Sequence, residues 1–168
     1  EVWEAVVIPE MLANYTENFG TVFGSVSDGR TWLGLNSEGY FDFKVASGNR
    51  VYSTFSNSSI KAELGVWYNL AATYSESKDL MRIYVNGTLV SETEILPNHS
   101  IKSASSSNYI CRGQNSNEYL NGTVDNIVIW GRSLSPNEIS HAFNRPLGFD
   151  NYFDFRVDDG VLVTNPSS

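Results

Sequence analysis

The sequence predicts an all-β protein, an antiparallel β-sandwich with one short helix towards its C-terminal end, and three observations support that prediction. Aromatic residues make up 13% of the 168, and no Ala-, Leu-, Glu- or Lys-rich run of helical length interrupts them. Turn-forming groups of Gly, Asn, Asp and Ser recur at short intervals between runs that alternate apolar and polar residues. The stretch 119–139 carries an Asn-Gly turn, a β-branched strand and a capped helix start, in that order.

Within that stretch, Asn121-Gly122 accepts the positive φ that both central positions of a type I′ turn require, so a strand is expected at Thr123–Trp130. Simple alternation sets Val124, Val128 and Trp130 on one face and Ile127 and Ile129 on the other, which predicts a strand covered on both sides. Asp125 falls on the second face; if that face is dry, the carboxylate must be paired, hydrogen-bonded or metal-bound. Ser135 and Glu138 form S-x-x-E with Pro136 at the first helical position. Leu134 and Ile139 are spaced as a hydrophobic staple, so a helix is expected from Pro136 to about Phe143.

The remaining strands follow from the turns between them. Val2–Ile8 is stopped by Pro9; 21–26 turns at Ser27-Asp28-Gly29 into Thr31–Leu35; and Asn36-Ser37-Glu38-Gly39 leads into 40–45. Ser47-Gly48-Asn49 turns into Arg50–Phe55. The segment 66–74 is apolar on both faces, and Leu80–Val85, Asn86-Gly87 and 88–90 make the strongest short-range hairpin signal in the chain. Short strands at 109–112 and, as a last hairpin, at 152–157 and 161–164 complete the set, for roughly a dozen strands in all. The expected division is one sandwich over 1–148, with 149–168 as a hairpin that completes it or belongs to a following segment.

Composition excludes several functions. A net charge of −8, with 11 dispersed Lys and Arg, argues against a nucleic-acid partner, which would need a basic stripe. No apolar run approaches ~18 residues, so no bilayer-spanning helix is expected. Cys111 is the single cysteine; it cannot form an internal disulfide and reads as a small buried hydrophobe. The chain opens inside a strand pattern, so it reads as part of a longer product. Five N-x-S/T sequons, at Asn14, Asn57, Asn86, Asn98 and Asn121, mark candidate glycosylation sites of a secreted protein, although Asn86 and Asn121 also serve Asn-Gly turns.

Catalytic patterns are poor. Glycosidases need two carboxylates roughly 5 to 9.5 Å apart across a groove, whereas Glu1 and Glu4 point to opposite faces of one strand, Asp42 stands alone, and Asp158 and Asp159 sit in a turn. His99 falls in a loop and His141 in the helix, without a nucleophile-elbow motif. One Cys and two unspaced His make no tetrahedral zinc site. The chain is therefore expected to be non-enzymatic. For binding, the alternates Tyr40, Asp42 and Lys44, with Arg50 and Tyr52, are expected to line a sheet face on which tyrosines stack against sugars; the other reading is a plain solvated face.

The succession Trp67-Tyr-Asn-Leu-Ala-Ala-Thr-Tyr, then Ile83-Tyr-Val-Asn-Gly-Thr-Leu-Val, then the 119–139 stretch resembles the laminin-G-like, concanavalin A-like jelly-roll family, in order and over about residues 2–143. The resemblance implies two curved antiparallel sheets, an extracellular setting, a role in binding glycans or proteins, and frequently a calcium ion. Asp125 is the calcium candidate it suggests, with Asp154 and Asp28 as partners; the competing reading has Asp125 held by backbone amides or by Arg132. Family members usually carry further strands before the segment matching Val2–Ile8, so another chain or segment is expected to fill that lane. The expected function is a non-catalytic extracellular recognition or adhesion module for glycan or protein. The alternatives are a structural subunit of a cell-surface assembly and, further off, a glycoside hydrolase.

Overall fold

Residues 2–8, 20–25, 31–47, 50–57, 60–96, 108–112, 119–120 and 122–144 are described by a computed structural model. In chain order they form β1 (Val2–Ile8), β2 (Gly20–Ser25), β3 (Thr31–Leu35), β4 (Phe41–Ser47), β5 (Arg50–Phe55), β6 (Tyr68–Ser75), β7 (Leu80–Val85), β8 (Thr88–Glu94), β9 (Asn108–Ile110), β10 (Thr123–Trp130) and α1 (Pro136–Asn144). Two five-stranded sheets result: sheet I in the order β10-β1-β6-β7-β8 and sheet II in the order β5-β4-β3-β2-β9, with every pairing antiparallel. The expected hairpin at 152–164 and the turns at 27–29 and 48–49 lie outside the described residues.

Alternation builds the layer between the sheets. Phe41, Phe43 and Val45 of β4 and Leu33 and Leu35 of β3 point inward from sheet II and are fully buried against Leu70, Ala72, Met81 and Ile83 of sheet I. Phe41 and Tyr68 meet with ring centroids 4.9 Å apart and planes tilted by 59°, a favourable aromatic geometry. Along one side the sheets are stitched at β5 and β8, where Thr54 Oγ1 donates to Ser91 Oγ at 2.9 Å and Thr93 Oγ1 to the Ser53 carbonyl at 3.3 Å.

The turns match the residues that build them. At Asn86-Gly87 both φ angles are positive, 51° and 73°, as a type I′ hairpin demands. At 36–39 the Asn36 side chain accepts the Glu38 and Tyr40 amides, and Gly39 takes φ 83°. The strand expected at 66–74 begins instead at Tyr68, leaving Trp67 48% exposed in the preceding loop, and β8 extends past 90 to Glu94.

Strand β10 corrects the sequence reading. Glu4 pairs with Val128 and Val6 with Asp125, so Asn126 and Ile127 stand opposite Ala5 in a bulge. The extra residue reverses the alternation: Val124 and Ile127 both pack against the core, and Asp125 is exposed. No dry face encloses its carboxylate. Nor is the strand covered on both sides, since Ile129 is 47% and Trp130 38% exposed.

Helix α1 starts as expected. Glu138 Oε2 accepts the Ser135 amide at 2.8 Å, and Ser135 Oγ accepts the Glu138 amide at 3.3 Å, closing the capping box. Leu134 and Ile139 are buried with Ala71 and Tyr84 on the outer face of sheet I, so the staple also docks the helix. Arg132 grips Glu138 with both terminal nitrogens, at 2.6 and 3.1 Å, and is therefore engaged there rather than with Asp125.

Two predictions follow from this packing. A Cβ on Gly34 would collide with the Gly20 carbonyl oxygen, where strands β2 and β3 pinch together. Gly34→Ala is expected to lower stability by roughly 1–3 kcal/mol, read as a fall in the urea midpoint; an unchanged midpoint would show that the pinch yields freely. The Arg132 contact and the cap bonds hold the Glu138 carboxyl down, from 4.5 to about 2. A depressed carboxylate contributes its stability above the unfolded value and loses it as pH falls through the folded one. The midpoints of wild type and Glu138→Gln should therefore differ above about pH 4.5 and converge towards pH 2; parallel curves would contradict the assignment.

Candidate functional site

The outward-pointing residues of β4 and its neighbours make the candidate site on sheet II. Asp42 lies between Gly34 of β3 and Phe55 of β5, and Lys44 between Trp32 and Ser53. Tyr40 bridges to Lys61 just beyond the end of β4. The centre of this face is polar but sealed. Asp42 is 3% exposed; Ser53 Oγ donates to its Oδ1 at 2.7 Å and Lys44 Nζ sits 3.1 Å from its Oδ2. Lys44 Nζ also stands 4.8 Å above the Trp32 ring, and the buried Trp32 Nε1 donates to Thr21 Oγ1 at 2.7 Å. A carboxylate so enclosed must keep these partners, because a buried unpaired charge is strongly unfavourable.

Towards the edge strand β5 the face opens and becomes apolar. Phe55 is 52% and Val51 61% exposed, and the Phe55 ring centroid lies 6.4 Å from that of Tyr40. Lys61 Nζ stands 4.5 Å from the Tyr40 ring, completing a strip of aromatic rings edged by ammonium groups.

Of the five residues expected to line a sugar-binding face, Tyr40, Asp42 and Lys44 do share one, but Asp42 is buried in it rather than presented to water. Arg50 pairs with Ser47 and Tyr52 with Val45, which gives both the inward parity. Tyr52 packs against the core, its buried hydroxyl lacking a hydrogen-bond partner, and Arg50 reaches solvent only because it begins the strand. Ser53 and Phe55 occupy the places expected of Arg50 and Tyr52. A two-residue loop pairing Ser47 with Arg50 dictates that assignment. Trp32 and Lys61 were also missed, since only cross-strand register brings them to this face.

Other expected sites are placed as follows. Asp125 presents one exposed carboxylate on β10, while Asp28 and Asp154 lie outside the described residues. Among the described residues no three His, Cys, Asp or Glu converge. Asn57 and Asn86 are exposed sequon residues; Asn14, Asn98 and Asn121 lie outside the described residues. Cys111 is free and half-buried against the core, and burial raises its thiol pKa. His141 is exposed on α1, and His99 lies outside the described residues.

The model of the concanavalin A-like lectin/glucanases superfamily, in its laminin G form, matches residues 10–140. The chain belongs to that superfamily. The match starts after β1, although β1 pairs between β6 and β10, and it ends within α1. Among solved structures, a heptameric SAP-like pentraxin from Limulus polyphemus is similar at a TM-score of 0.62 and 18% identity, covering 83% of this chain and 67% of its own. Domain 4 of AbnA, an extracellular arabinanase of Geobacillus stearothermophilus solved with arabinotriose, is similar at a TM-score of 0.62 and 20% identity, over 83% and 64%. The receptor binding domain of botulinum neurotoxin type G is similar at 0.60 and 19% identity, over 84% and 36%. Identities this low show the fold alone. This concanavalin A-like chain spans only part of the AbnA domain and of the toxin domain. No curated protein matches it. Among the described residues no helix is long and apolar enough to cross a membrane.

In this superfamily member the Asp42 cluster is expected to act as the framework of the face. Asp42→Ala should cost roughly 1.5–3 kcal/mol, the usual range for a hydrogen bond to a charged group, because it strands Ser53 and Lys44. Chemical denaturation measures it, and a loss near zero would show that water replaces the carboxylate without penalty.

Proposed function

We propose that the chain is a non-catalytic binding module that takes a glycan on the outer face of sheet II, along β5, in an extracellular setting. The observation that carries this reading is the pair of rings formed by half-buried Tyr40 and exposed Phe55, with centroids 6.4 Å apart, beside Lys61 and Ser53. A pyranose ring presents an apolar C–H face that stacks on such rings, while its hydroxyls need donors and acceptors at the margin. Here Lys61, Lys44 and Ser53 supply them from the neighbouring positions. Asp42 is committed to Ser53 and Lys44 and is nearly inaccessible, which suits a scaffold and not a general acid. Further support comes from domain 4 of AbnA, which was solved with arabinotriose and has the same fold.

A glycan array tests this. The wild-type chain should retain a restricted set of glycans, and Phe55→Ala or Tyr40→Ala should weaken that retention at least about tenfold, equivalent to about 1.4 kcal/mol. Neither substitution should lower the melting temperature much. Retention of no glycan, or retention indifferent to both substitutions, would overturn the reading.

A further inference from the structure

At the edge of sheet II away from β5, the chain departs from regular strand geometry at one residue. Strand β9 pairs with β2, and Tyr109 stands opposite Gly24, which in turn faces Trp32 of β3. Tyr109 therefore belongs to the outer face of sheet II. Cys111, directly after β9, has φ 60°. The left-handed region is costly for a residue with a Cβ, and a residue found there is held by its surroundings. Here the Cys111 amide donates to the Val22 carbonyl at 2.9 Å, and the Cys111 carbonyl accepts the Leu120 amide at 3.2 Å.

The result is a change of parity. In an unbroken strand, residues 109 and 112 would point to opposite faces. With Cys111 packed against the core, Arg112 instead brings its guanidinium carbon 4.9 Å from the centre of the Tyr109 ring. Tyr119, 52% exposed, faces Arg112 across an antiparallel bridge. Because the Leu120 amide bonds to the Cys111 carbonyl, Arg112 and Tyr119 form a non-hydrogen-bonded pair, the closer of the two kinds of cross-strand neighbour. An exposed guanidinium thus stands beside two tyrosines, one from its own segment and one from the segment opposite.

The donors of Arg112 remain unused. Arg82 and Arg132 are each closed by a glutamate, at 3.0 and 2.6 Å. Arg112 has no carboxylate partner among the described residues; its contact is the Tyr109 ring, which restrains the group without occupying its N–H bonds. A planar fork of donors, restrained and open to solvent, matches two oxygens of a carboxylate or sulfate. In a chain of net charge −8, this unneutralised cation is a local exception that favours an anion. The Tyr119 ring beside it offers a flat apolar surface to whatever carries that anion. Three side chains on an open edge contact one anionic group and one ring, the size of a single sugar residue.

We propose that Tyr109, Arg112 and Tyr119 form a second binding site, for an acidic saccharide: Arg112 takes its carboxylate or sulfate through paired N–H donors, and Tyr119 takes the apolar face of its ring. The site shares no residue with the strip along β5, so either stands if the other fails.

Proton–nitrogen NMR titration of the intact chain tests the proposal. The probes are glucuronic acid and N-acetylglucosamine 6-sulfate, with glucose and N-acetylglucosamine as neutral counterparts and inorganic sulfate and phosphotyrosine as competing anions. At least one acidic sugar should shift the Arg112 Nε–H and the amides of Tyr109 and Tyr119 saturably at millimolar concentration, about tenfold more tightly than its neutral counterpart. Arg112→Gln should abolish those shifts, and Arg112→Lys, which keeps the charge and loses the fork, should weaken binding about fivefold. Tyr119→Ala should weaken the acidic sugar and leave inorganic sulfate unchanged, whereas Phe55→Ala should alter neither. Arg112 and Tyr119 are exposed, so each variant should melt with the wild type, which separates lost binding from lost folding. The site would be overturned by an absence of saturable shifts with both acidic sugars, by equal affinity for the neutral counterparts, or by shifts that survive Arg112→Gln. Tighter binding of inorganic sulfate or of phosphotyrosine than of either acidic sugar would overturn the assignment to a saccharide.

Discussion

The apolar layer between the sheets sets the terms for every other side chain. Phe41, Phe43, Leu33, Leu70 and Ile83 are fully buried there, and strand geometry then commits their sequence neighbours to the outside. Asp42, Trp32 and Thr73 point outward for no reason of their own; they are the other half of an alternation that the core requires. Yet the central strands are also covered on their outer faces, so each of these groups had to be given a partner or an apolar lid. On sheet I the lid is α1, seated on Ala71 and Tyr84. On sheet II a linked polar set of Asp42, Ser53, Lys44, Trp32 and Thr21 does the same work.

That difference gives the two outer faces different chemistry. Sheet II grades from a sealed polar centre to the exposed Phe55 ring and Val51 at β5. On sheet I the helix covers only part of the face, and the uncovered remainder forms a cleft walled by hydroxyls.

Local features were legible in the sequence because they depend on a few neighbouring residues. The capping box, the staple and the Asn86-Gly87 turn are written within spans of two to six positions and appear in the structure as read. The placement of the described strands was legible for the same reason. What escaped was parity across distance. The bulge opposite Ala5 is invisible in β10 alone, where uninterrupted alternation placed Asp125 with Ile127. The facing of Tyr52 depended on counting the register across a two-residue loop, and the burial of Asp42 on what neighbouring strands pack beside it. The cleft left almost no trace in the sequence, since Thr73, Arg82 and Ser133 come together only when the helix docks.

The strand order also constrains how the protein is made. Strand β1 emerges from the ribosome ahead of the others described, yet its two neighbours in sheet I are β6 and β10, the latter ending at Trp130. At roughly 5–20 residues per second, β1 waits on the order of 10 s before both flanks exist. Throughout that interval the sequence Val-Trp-Glu-Ala-Val-Val-Ile is an unpaired, mostly apolar strand, the kind of segment that nascent-chain chaperones shield. In sheet II only the edge strand β9 comes late, because β2 to β5 are consecutive and pair as they appear. Sheet II can therefore form ahead of sheet I, and β1, the earliest of the described strands, is among the last of them to be secured.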